Sequence, residues 1–291
     1  MSYEKNSGKR FAQKLGFERS KNEIIVIADS DSFPAQPNSI MEIVQQFQNP
    51  EVGGVSGCTD IANPINWLSK SQKTRYFAAF NRYKRCEAVS GSVICLSGCF
   101  SAIRRVALFQ VLNSWYNQTF LGNRSTYGDD RALTTFLLKN NWKTVYAPTA
   151  RAKTYVPTNF KKFWKQQIRW QKSFMRESIS GGKFIWKKPI AALHFYLGVF
   201  VTFASFVIAL YTIWLLPFMT RGSFLPFQYL LGIILISTLS ILDYRMHFND
   251  NYWIYAPVYA TLSAVILVWR MPFALAGIKD GRWGTRGGKN K

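Results

Sequence analysis

The sequence predicts an α/β domain followed by an amphipathic helix and an α-helical membrane domain. Before Pro189, short β-branched apolar runs alternate with helical patterns, and residues 160–176 carry an apolar stripe at helical spacing. After it come three apolar segments, 190–218, 224–242 and 252–278. The first and third exceed the length of about 20 residues that a bilayer core requires.

Positive charge is concentrated before the apolar segments. Residues 1–190 hold 29 of the 37 Lys and Arg against 12 acidic residues, so they carry about +17 of the net charge of +22. Nucleic acid, anionic lipid or a polyphosphate substrate would suit such charge. The membrane segments favour the last two, and because no nucleic-acid-binding signature accompanies the charge, we expect no nucleic acid partner.

The four cysteines form no CxxC pair, and the chain has only two histidines. This pattern argues against a zinc site and favours reduced thiols.

A pair of carboxylates follows the first predicted strand. Residues 23–28 form a short apolar run typical of a buried parallel strand, and Asp29-Ser30-Asp31 follows at its C-terminal edge, where ligands bind in open α/β sheets. Two carboxylates one residue apart can share a divalent cation with waters and diphosphate oxygens. We predict Asp29 and Asp31 as metal ligands; an ordinary acidic turn is the alternative.

Further helices and strands continue the alternation up to residue 139. The predicted strands are 52–57 and 92–100, the latter running into a tight turn, and the predicted helices are 39–47, 67–87, 104–112 and 129–139.

Gly128-Asp129-Asp130-Arg131 places adjacent carboxylates at the start of the last of these helices. A carboxylate there could deprotonate an acceptor hydroxyl, and Asp130 is the predicted base. N-capping by Asp129 is the alternative explanation.

The stripe at 160–176 sets aromatic and aliphatic residues on one side of a helix and basic residues on the other. We expect this helix to lie on a membrane surface, the alternative being an amphipathic helix on the soluble core. Gln166, Arg169 and Trp170 share one flank of it. The amide and guanidinium could hold diphosphate oxygens and the indole could stack on a sugar ring. A basic interfacial helix with Trp at the headgroup level is the alternative.

Six stretches together carry a resemblance that covers nearly the whole chain. The chain resembles the processive, inverting family 2 glycosyltransferases, which include cellulose, chitin and hyaluronan synthases, and is most similar to bacterial hyaluronan synthases. The stretches are Gly8-Lys9-Arg10, Asp29-Ser30-Asp31, residues 116–122 (YNQTFLG), Gly128-Asp129-Asp130-Arg131, residues 165–178 (KQQIRWQKSFMRES) and residues 282–286 (RWGTR).

The resemblance implies a GT-A (Rossmann-like) catalytic domain over residues 1–158. Residues 159–189 would form the interface helix and linker, 190–278 the transmembrane helices and 279–291 a basic cytoplasmic tail. The family's N-terminal membrane helices and first nucleotide-binding strand have no counterpart before Met1. We therefore expect an N-terminally truncated domain, with a partner that could supply the missing part.

The resemblance also implies roles for individual residues. Lys9, Arg10 and Asp29 would bind the nucleotide sugar. Gln166, Arg169 and Trp170 would close over the diphosphate and acceptor. Acceptor binding would involve Asp129, Trp170 and the turn Ser97-Gly98-Cys99, which departs from the family's usual Ser-Gly-Pro and could alter acceptor preference.

The implied donors are UDP-GlcNAc and UDP-GlcA, the cofactor is Mg²⁺ or Mn²⁺, and the product is a growing polysaccharide passed through a lipid membrane. Lysines and arginines before 190 and after 278 predict that the catalytic domain and C-terminus are cytoplasmic in a multi-pass cell-membrane protein. Two complete spans, 190–218 and 224–242, satisfy this orientation if 252–278 is re-entrant or broken near Pro272; a further crossing would also satisfy it.

Three other functions fit parts of the sequence. A chitin-like synthase would use UDP-GlcNAc alone. An inactive or split chain could act as a membrane subunit. A basic peripheral protein that binds anionic lipid would explain the charge but not the acidic pairs.

Overall fold

The computed structural model describes residues 8–220 and 224–280. The stretch 282–286 and the basic tail after residue 280 lie outside the described residues. Helices and strands alternate up to residue 154, as predicted. In chain order they are α1 (Lys9–Arg19), β1 (Ile24–Ile27), β2 (Ser32–Pro34), α2 (Ser39–Val44), β3 (Val52–Ile61), α3 (Trp67–Ala78), α4 (Lys84–Val89), β4 (Ser101–Arg104), α5 (Arg105–Tyr116), β5 (Thr119–Phe120), β6 (Asn123–Arg124), α6 (Asp129–Lys139) and β7 (Lys143–Thr154).

The predicted helices are confirmed, with small differences at their ends. A 3₁₀ turn, Gln45–Gln48, extends α2. A π-helical segment, Ala79–Tyr83, joins α3 to α4 in one helical run. The helix predicted to begin at Arg104 is α5, and α6 has the predicted bounds.

Five strands form one mixed sheet in the order β1-β4-β3-β7-β2. Only β3 and β7 are parallel, over a register that includes Val55↔Val145; the other pairs are antiparallel. The prediction of a buried parallel strand at 23–28 is therefore wrong in its pairing, because β1 lies antiparallel to β4. Apolar composition predicts a strand but does not specify which neighbour it pairs with.

Residues 92–100 do not form the predicted strand. Apart from a single bridge between Ser92 and Thr144 the segment is irregular, and the strand begins at Ser101. The amide of Val93 donates to the Thr144 carbonyl of β7 (3.0 Å). Beyond Val93 the backbone binds side chains: the amide of Ile94 donates to Glu87 Oε2 (3.0 Å) and that of Leu96 to Thr134 Oγ1 (2.9 Å). These hydrogen bonds satisfy the backbone without a β-ladder.

Apolar side chains cover both faces of the sheet. One core contains residues from α1, α5 and α6 packed on β1 and β4, among them Phe17, Leu108 and Trp115. The other lies beneath α2 and includes Ile43 and Phe100. The first core supports the start of α6, where the predicted base lies.

The amphipathic segment forms one long helix, α7 (Phe160–Gly182). Protein covers its most apolar positions: Phe163 packs with Leu68 and Leu262, and Met175 packs with Met271. The helix itself is confirmed, and these contacts join it to both α3 of the α/β part and the C-terminal helices. Its position at a membrane surface stays a prediction.

Two helical segments are long and apolar enough to cross a membrane, Pro189–Met219 and Leu225–His247. The first comprises α8 (Pro189–Ala209), a π-helical segment (Leu210–Leu215) and α9 (Leu216–Met219). The second comprises α10 (Leu225–Leu239), turns and α11 (Tyr244–His247). These segments agree with the two predicted spans.

The third apolar segment is broken, but not at Pro272. Its two parts, Tyr252–Val265 and Leu267–Ala276, meet at an angle of 49° next to Ile266. They contain α12 (Tyr255–Val265) and α13 (Arg270–Ala276). Pro272 lies in the first turn of α13, where its missing amide hydrogen costs no helical hydrogen bond, so it does not cause the break.

Leu108→Ala should destabilise the α/β part of the chain by about 2–5 kcal/mol, because the substitution leaves a cavity at a fully buried position. Val106→Ala, at a 57% exposed position on the same helix, should change stability by less than about 0.5 kcal/mol. Thermal unfolding of the detergent-solubilised chain, followed by tryptophan fluorescence, measures both. Equal unfolding midpoints for the two variants would contradict this assignment of the core.

Candidate active site

The turn at Gly98 lies between the two predicted acidic groups. The Gly98 amide faces Asp130 Oδ2 at 3.5 Å, the limit of a hydrogen bond. A Cβ atom at Gly98 would lie 3.1 Å from Asp29 Oδ2, which is tighter than most van der Waals contacts. The absence of a side chain therefore allows the Asp29 carboxylate to approach the turn that also contacts Asp130.

Asp130 occupies the first turn of α6, which begins after Gly128. Gly128 has φ +74°, and a Cβ atom there would lie 2.1 Å from Ser173 Oγ on α7. Only glycine meets both requirements, a left-handed backbone and contact with a neighbouring helix. Asp130 Oδ1 accepts a hydrogen bond from the Arg131 amide (2.8 Å). The N-cap is Gly128, so the alternative of N-capping by Asp129 is not observed.

Asp129 points into the protein and pairs with Arg10. Arg10 Nε donates to Asp129 Oδ1 at 2.7 Å, and both residues are 4% exposed. Burial raises the pKa of the Asp129 carboxyl, and the Arg10 charge opposes the rise. The indole N–H of Trp115 donates to the backbone carbonyl of Asp129 (2.9 Å). The backbone carbonyl of Trp115 accepts a hydrogen bond from the Arg10 guanidinium. Arg10 thus lies beneath the site.

Lys9 lies at the site itself. Its ammonium group is 2.5 Å from Asp29 Oδ1, and its side chain is 32% exposed. Burial alone would lower the pKa of Lys9, but the charge of Asp29 and its hydrogen bond, with the fields of Asp130 and Asp129, raise it. Lys9 therefore stays protonated beside the acidic groups and can contact an anionic ligand.

Helix α7 brings Arg169 towards the same carboxylates. Burial lowers the pKa of Arg169, and four aspartates oppose this effect, in descending order Asp130, Asp29, Asp129 and Asp31. An arginine remains charged despite such a shift. Residues from three parts of the sequence, far apart along the chain, thus share one electrostatic environment.

The other two predicted residues of α7 differ in exposure. Trp170 is 42% exposed. Gln166 Oε1 is buried and has no hydrogen-bond partner among residues 8–220 and 224–280. The neighbouring Gln167 accepts from Arg270 of α13 (3.3 Å), so it contacts the C-terminal helices.

In the turn 97–99, the Ser97 amide donates to Ser56 Oγ of β3 at 3.4 Å. Burial raises the pKa of the Cys99 thiol, and the charge of Asp29 adds to the rise. Cys99 is therefore a neutral thiol at neutral pH. Its position beside Asp29 brings the one residue that departs from the family pattern close to the predicted metal ligands.

Asp29 and Asp31 suit a hard divalent cation. Both follow β1, Asp31 is exposed, and both offer carboxylate oxygens. The described part of the chain contains no cluster of three or more His, Cys, Asp or Glu that could hold a metal. Mg²⁺ is commonly held by one or two carboxylates together with substrate phosphates and waters, so two carboxylates fit an ion that binds with a diphosphate.

The sequence motifs predict no roles for four further residues near the site, Trp115, Gln118, Arg176 and Glu177. Gln118 Nε2 donates to Glu177 Oε1 (2.9 Å), and its amide oxygen accepts from Arg10 (3.3 and 3.4 Å). One signal was present in the sequence: Glu177 is the only acidic residue between Asp130 and Asp243, among many basic ones.

The chain is similar to known glycosyltransferases. The model of the family "Glycosyltransferase like family 2" matches residues 3–173. The chain is 33% identical over 282 residues to a hyaluronan synthase of Streptococcus pyogenes, covering 97% of this chain and 66% of that protein. It is 30% identical over 298 residues to mouse hyaluronan synthase 3, covering 98% and 51%.

The chain is also similar to two glycosyltransferases that are not hyaluronan synthases. An N-acetylglucosaminyltransferase of Azorhizobium caulinodans is 29% identical over 284 residues, covering 97% of this chain and 71% of that protein. A mannosyltransferase from Pyrobaculum calidifontis, solved with GDP-Man and Mn²⁺, superimposes with a TM-score of 0.54 at 18% identity, covering 91% of this chain and 68% of that one.

The structural similarity and the family match confirm the GT-A fold predicted for the catalytic part. The chain spans 66% of the length of the streptococcal synthases that it matches. With its family model matched over more than half of its length, and with identity of about a third to hyaluronan synthases along nearly all of it, the chain belongs to glycosyltransferase family 2.

Proposed function

We propose that the chain is the catalytic and membrane-spanning part of a processive, inverting β-glycosyltransferase that polymerises UDP-GlcNAc and UDP-GlcA into a hyaluronan-type polysaccharide. One observation carries the proposal: the turn at Gly98 lies against both acidic pairs, with its amide 3.5 Å from Asp130 Oδ2 and its Cβ position 3.1 Å from Asp29 Oδ2. Lys9 pairs with Asp29 beside this turn. A site with both carboxylates and fixed cations suits a negatively charged donor and a proton transfer to an acidic residue.

Donor binding would use the cations at the edge of the sheet. Lys9, already paired with Asp29, and Arg169 would hold diphosphate oxygens, with Gln166 contributing its buried amide. When bound, Mg²⁺ or Mn²⁺ would be held by Asp29 and Asp31 and would neutralise diphosphate charge. Arg10 would act indirectly, since its guanidinium is buried against Asp129 and Gln118.

Asp130 would act as the base. Its carboxylate would take the proton of the acceptor hydroxyl while the hydroxyl oxygen forms a bond to the anomeric carbon. The bond from that carbon to the diphosphate would break on the opposite face, and UDP would leave with the electron pair. Hydrogen bonding from the Arg131 amide (2.8 Å) holds the Asp130 carboxylate in place for this step.

The acceptor sugar would stack on the exposed face of Trp170 and contact the turn 97–99. Asp129 is buried, so it would act on the acceptor indirectly, by holding the neighbouring Asp130 in place. Stacking of an apolar sugar face on an indole tolerates movement along the ring. Such tolerance suits a polymer that must advance after each addition.

The apolar helices support a membrane location. Segments Pro189–Met219 and Leu225–His247 would cross the cell membrane with the catalytic domain and C-terminus cytoplasmic, and the bent pair beyond them would line part of the path of the polymer. Synthesis would then be coupled to translocation.

The second candidate is a chitin-like synthase that uses UDP-GlcNAc alone, favoured by the similarity to an N-acetylglucosaminyltransferase. Donor dependence separates the two. High-mass polymer formed only when both UDP-GlcNAc and UDP-GlcA are present supports the first, and polymer formed from UDP-GlcNAc alone supports the second.

Asp130→Asn should lower polymer synthesis by about 10²–10⁴-fold, because the amide cannot accept the hydroxyl proton. Incorporation of radiolabelled UDP-GlcNAc into high-mass polymer by membranes containing the chain measures this. Glu51→Gln, which neutralises an exposed acid paired with Lys143, should retain parental activity. Parental synthesis by the Asp130→Asn variant would rule out this residue as the base.

Asp31→Asn should raise the Mn²⁺ concentration needed for half-maximal activity by roughly tenfold or more, since even indirect partners of a metal ligand affect affinity by that amount. Electron paramagnetic resonance of Mn²⁺ titrated with UDP and the chain gives an independent reading of binding. An unchanged Mn²⁺ affinity by both methods would exclude Asp31 as a ligand.

Trp170→Ala should reduce polymer synthesis several-fold, up to about tenfold, because stacking contributes on the order of 1 kcal/mol. Trp186→Ala, at another exposed indole (60%), is the matched control and should leave synthesis unchanged. Competition with short sugar acceptors measures the change. Equal activity of both variants would contradict the stacking role.

A further inference from the structure

Four charged side chains form a buried group beneath the candidate active site: Arg10, Asp129, Arg176 and Glu177. Each is 4–5% exposed, and their formal charges cancel. Burying a charge is costly unless it is compensated, so removing one member of this neutral group leaves the charge of another uncompensated in the interior.

Gln118 connects the two halves of this buried charge group. Its amide oxygen accepts from the Arg10 guanidinium (3.3 and 3.4 Å), and its amide nitrogen donates to Glu177 Oε1 (2.9 Å). A glutamine amide can accept from a cation and donate to an anion at the same time. The path Asp129–Arg10–Gln118–Glu177 is therefore continuous from the start of α6 to α7.

Arg176 fastens α7 to the loop before α6. Its guanidinium lies 3.9 Å from the centre of the Tyr127 ring, and it donates to Ser125 Oγ at 3.2 Å. Burial lowers the pKa of Arg176 to about 10, an effect that Glu177 opposes. At neutral pH Arg176 remains charged, so both its stacking and its charge act on the loop.

The buried charge group lies on the elements that carry the proposed chemistry. Asp129 precedes Asp130, and Glu177 is two turns beyond Trp170 on α7. The two helices meet at Gly128 and Ser173, where a Cβ atom would clash at 2.1 Å. The contact at Gly128 and Ser173 alone would leave α7 free to rotate or slide about that point. The buried charge group adds a second attachment, which restrains both movements.

Resting on the proposed function, we infer that Arg176 and Glu177 are positioning residues that set the separation between Asp130 and the diphosphate- and acceptor-binding residues of α7. They do not touch substrate. Their contribution is to hold α7 against the start of α6, so that Arg169 and Trp170 face Asp130 in one arrangement.

Glu177→Gln tests this inference, because it preserves the shape of the side chain and removes its charge. In the purified full chain with both donors, we expect kcat per folded molecule to fall about ten- to a hundredfold, since small misplacements of reacting groups have effects of that size. KM for UDP-GlcNAc should change less than kcat, because Lys9 and Asp29, which also contact the donor in the proposed function, do not lie on α7. Glu51→Gln is the control and should match the parent.

Adding Arg176→Gln to Glu177→Gln restores charge balance. The fold-loss of activity in the double variant should therefore be smaller than the product of the fold-losses of the two single variants, Arg176→Gln and Glu177→Gln. A purely structural role would lower the yield of folded protein and leave kcat per folded molecule unchanged. Such a result, with kcat of Glu177→Gln within about twofold of the parent, would overturn the inference.

Amide hydrogen exchange tests the same inference without a measurement of polymer synthesis. Amides of residues 126–134 and 160–173 should exchange faster in Glu177→Gln than in the parent or in Glu51→Gln, while residues 52–61 should be unchanged. Unchanged exchange in the first two segments overturns the inference whatever the activity. Failure of the proposed function would appear differently, as no transfer by the parent chain.

If Glu177→Gln does not insert or fold, Gln118→Met removes the connecting amide and leaves all four charges present. Gln118 is only partly buried, so the substitution is milder. The same fall in kcat and the same faster exchange are expected, and parental values for both would overturn the inference.

Discussion

The arrangement of the site depends on one contact, the approach of α7 to the first turn of α6 at Gly128 and Ser173. A side chain at residue 128 would separate the two helices and move Arg169 away from the acidic pairs. The buried ion pair of Arg10 with Asp129 also supports this turn. The residue before Asp130 is thus fixed by a buried cation, and the glycine before that by a packed helix.

The two adjacent aspartates have different surroundings and therefore different roles. Asp129 points inwards, pairs with Arg10 and is 4% exposed, whereas Asp130 lies at the Gly98 turn beside Asp29. Neighbouring residues in the first turn of a helix point in different directions, so one carboxylate can be structural while the next faces a ligand. The Asp-Asp pair therefore contributes both a support and a candidate base.

The α/β part of the chain and the apolar helices are packed against each other rather than joined only by a linker. Phe163 of α7 packs with Leu68 of α3 and Leu262 of α12, and Lys73 of α3 lies within 3.5 Å of Asp60 and 3.2 Å of Asp250. A movement of the apolar helices would therefore be transmitted to α7. This arrangement suits the proposed coupling of sugar transfer to movement of the product.

The sequence alone determined the helices, the apolar segments and the acidic pairs, because composition and periodicity are local properties. Helical spacing also predicted the shared flank of Gln166, Arg169 and Trp170 on α7. Gly128 belongs to a stretch that carries the family resemblance. Tertiary structure decided the antiparallel pairing of β1, the irregular course of 92–100 and the bend at Ile266. It also brought Gln118 and Glu177 together with Arg10. Partners far apart along the chain leave no local pattern in the sequence. The charges of Arg10 and Glu177 depend on each other because both groups are buried.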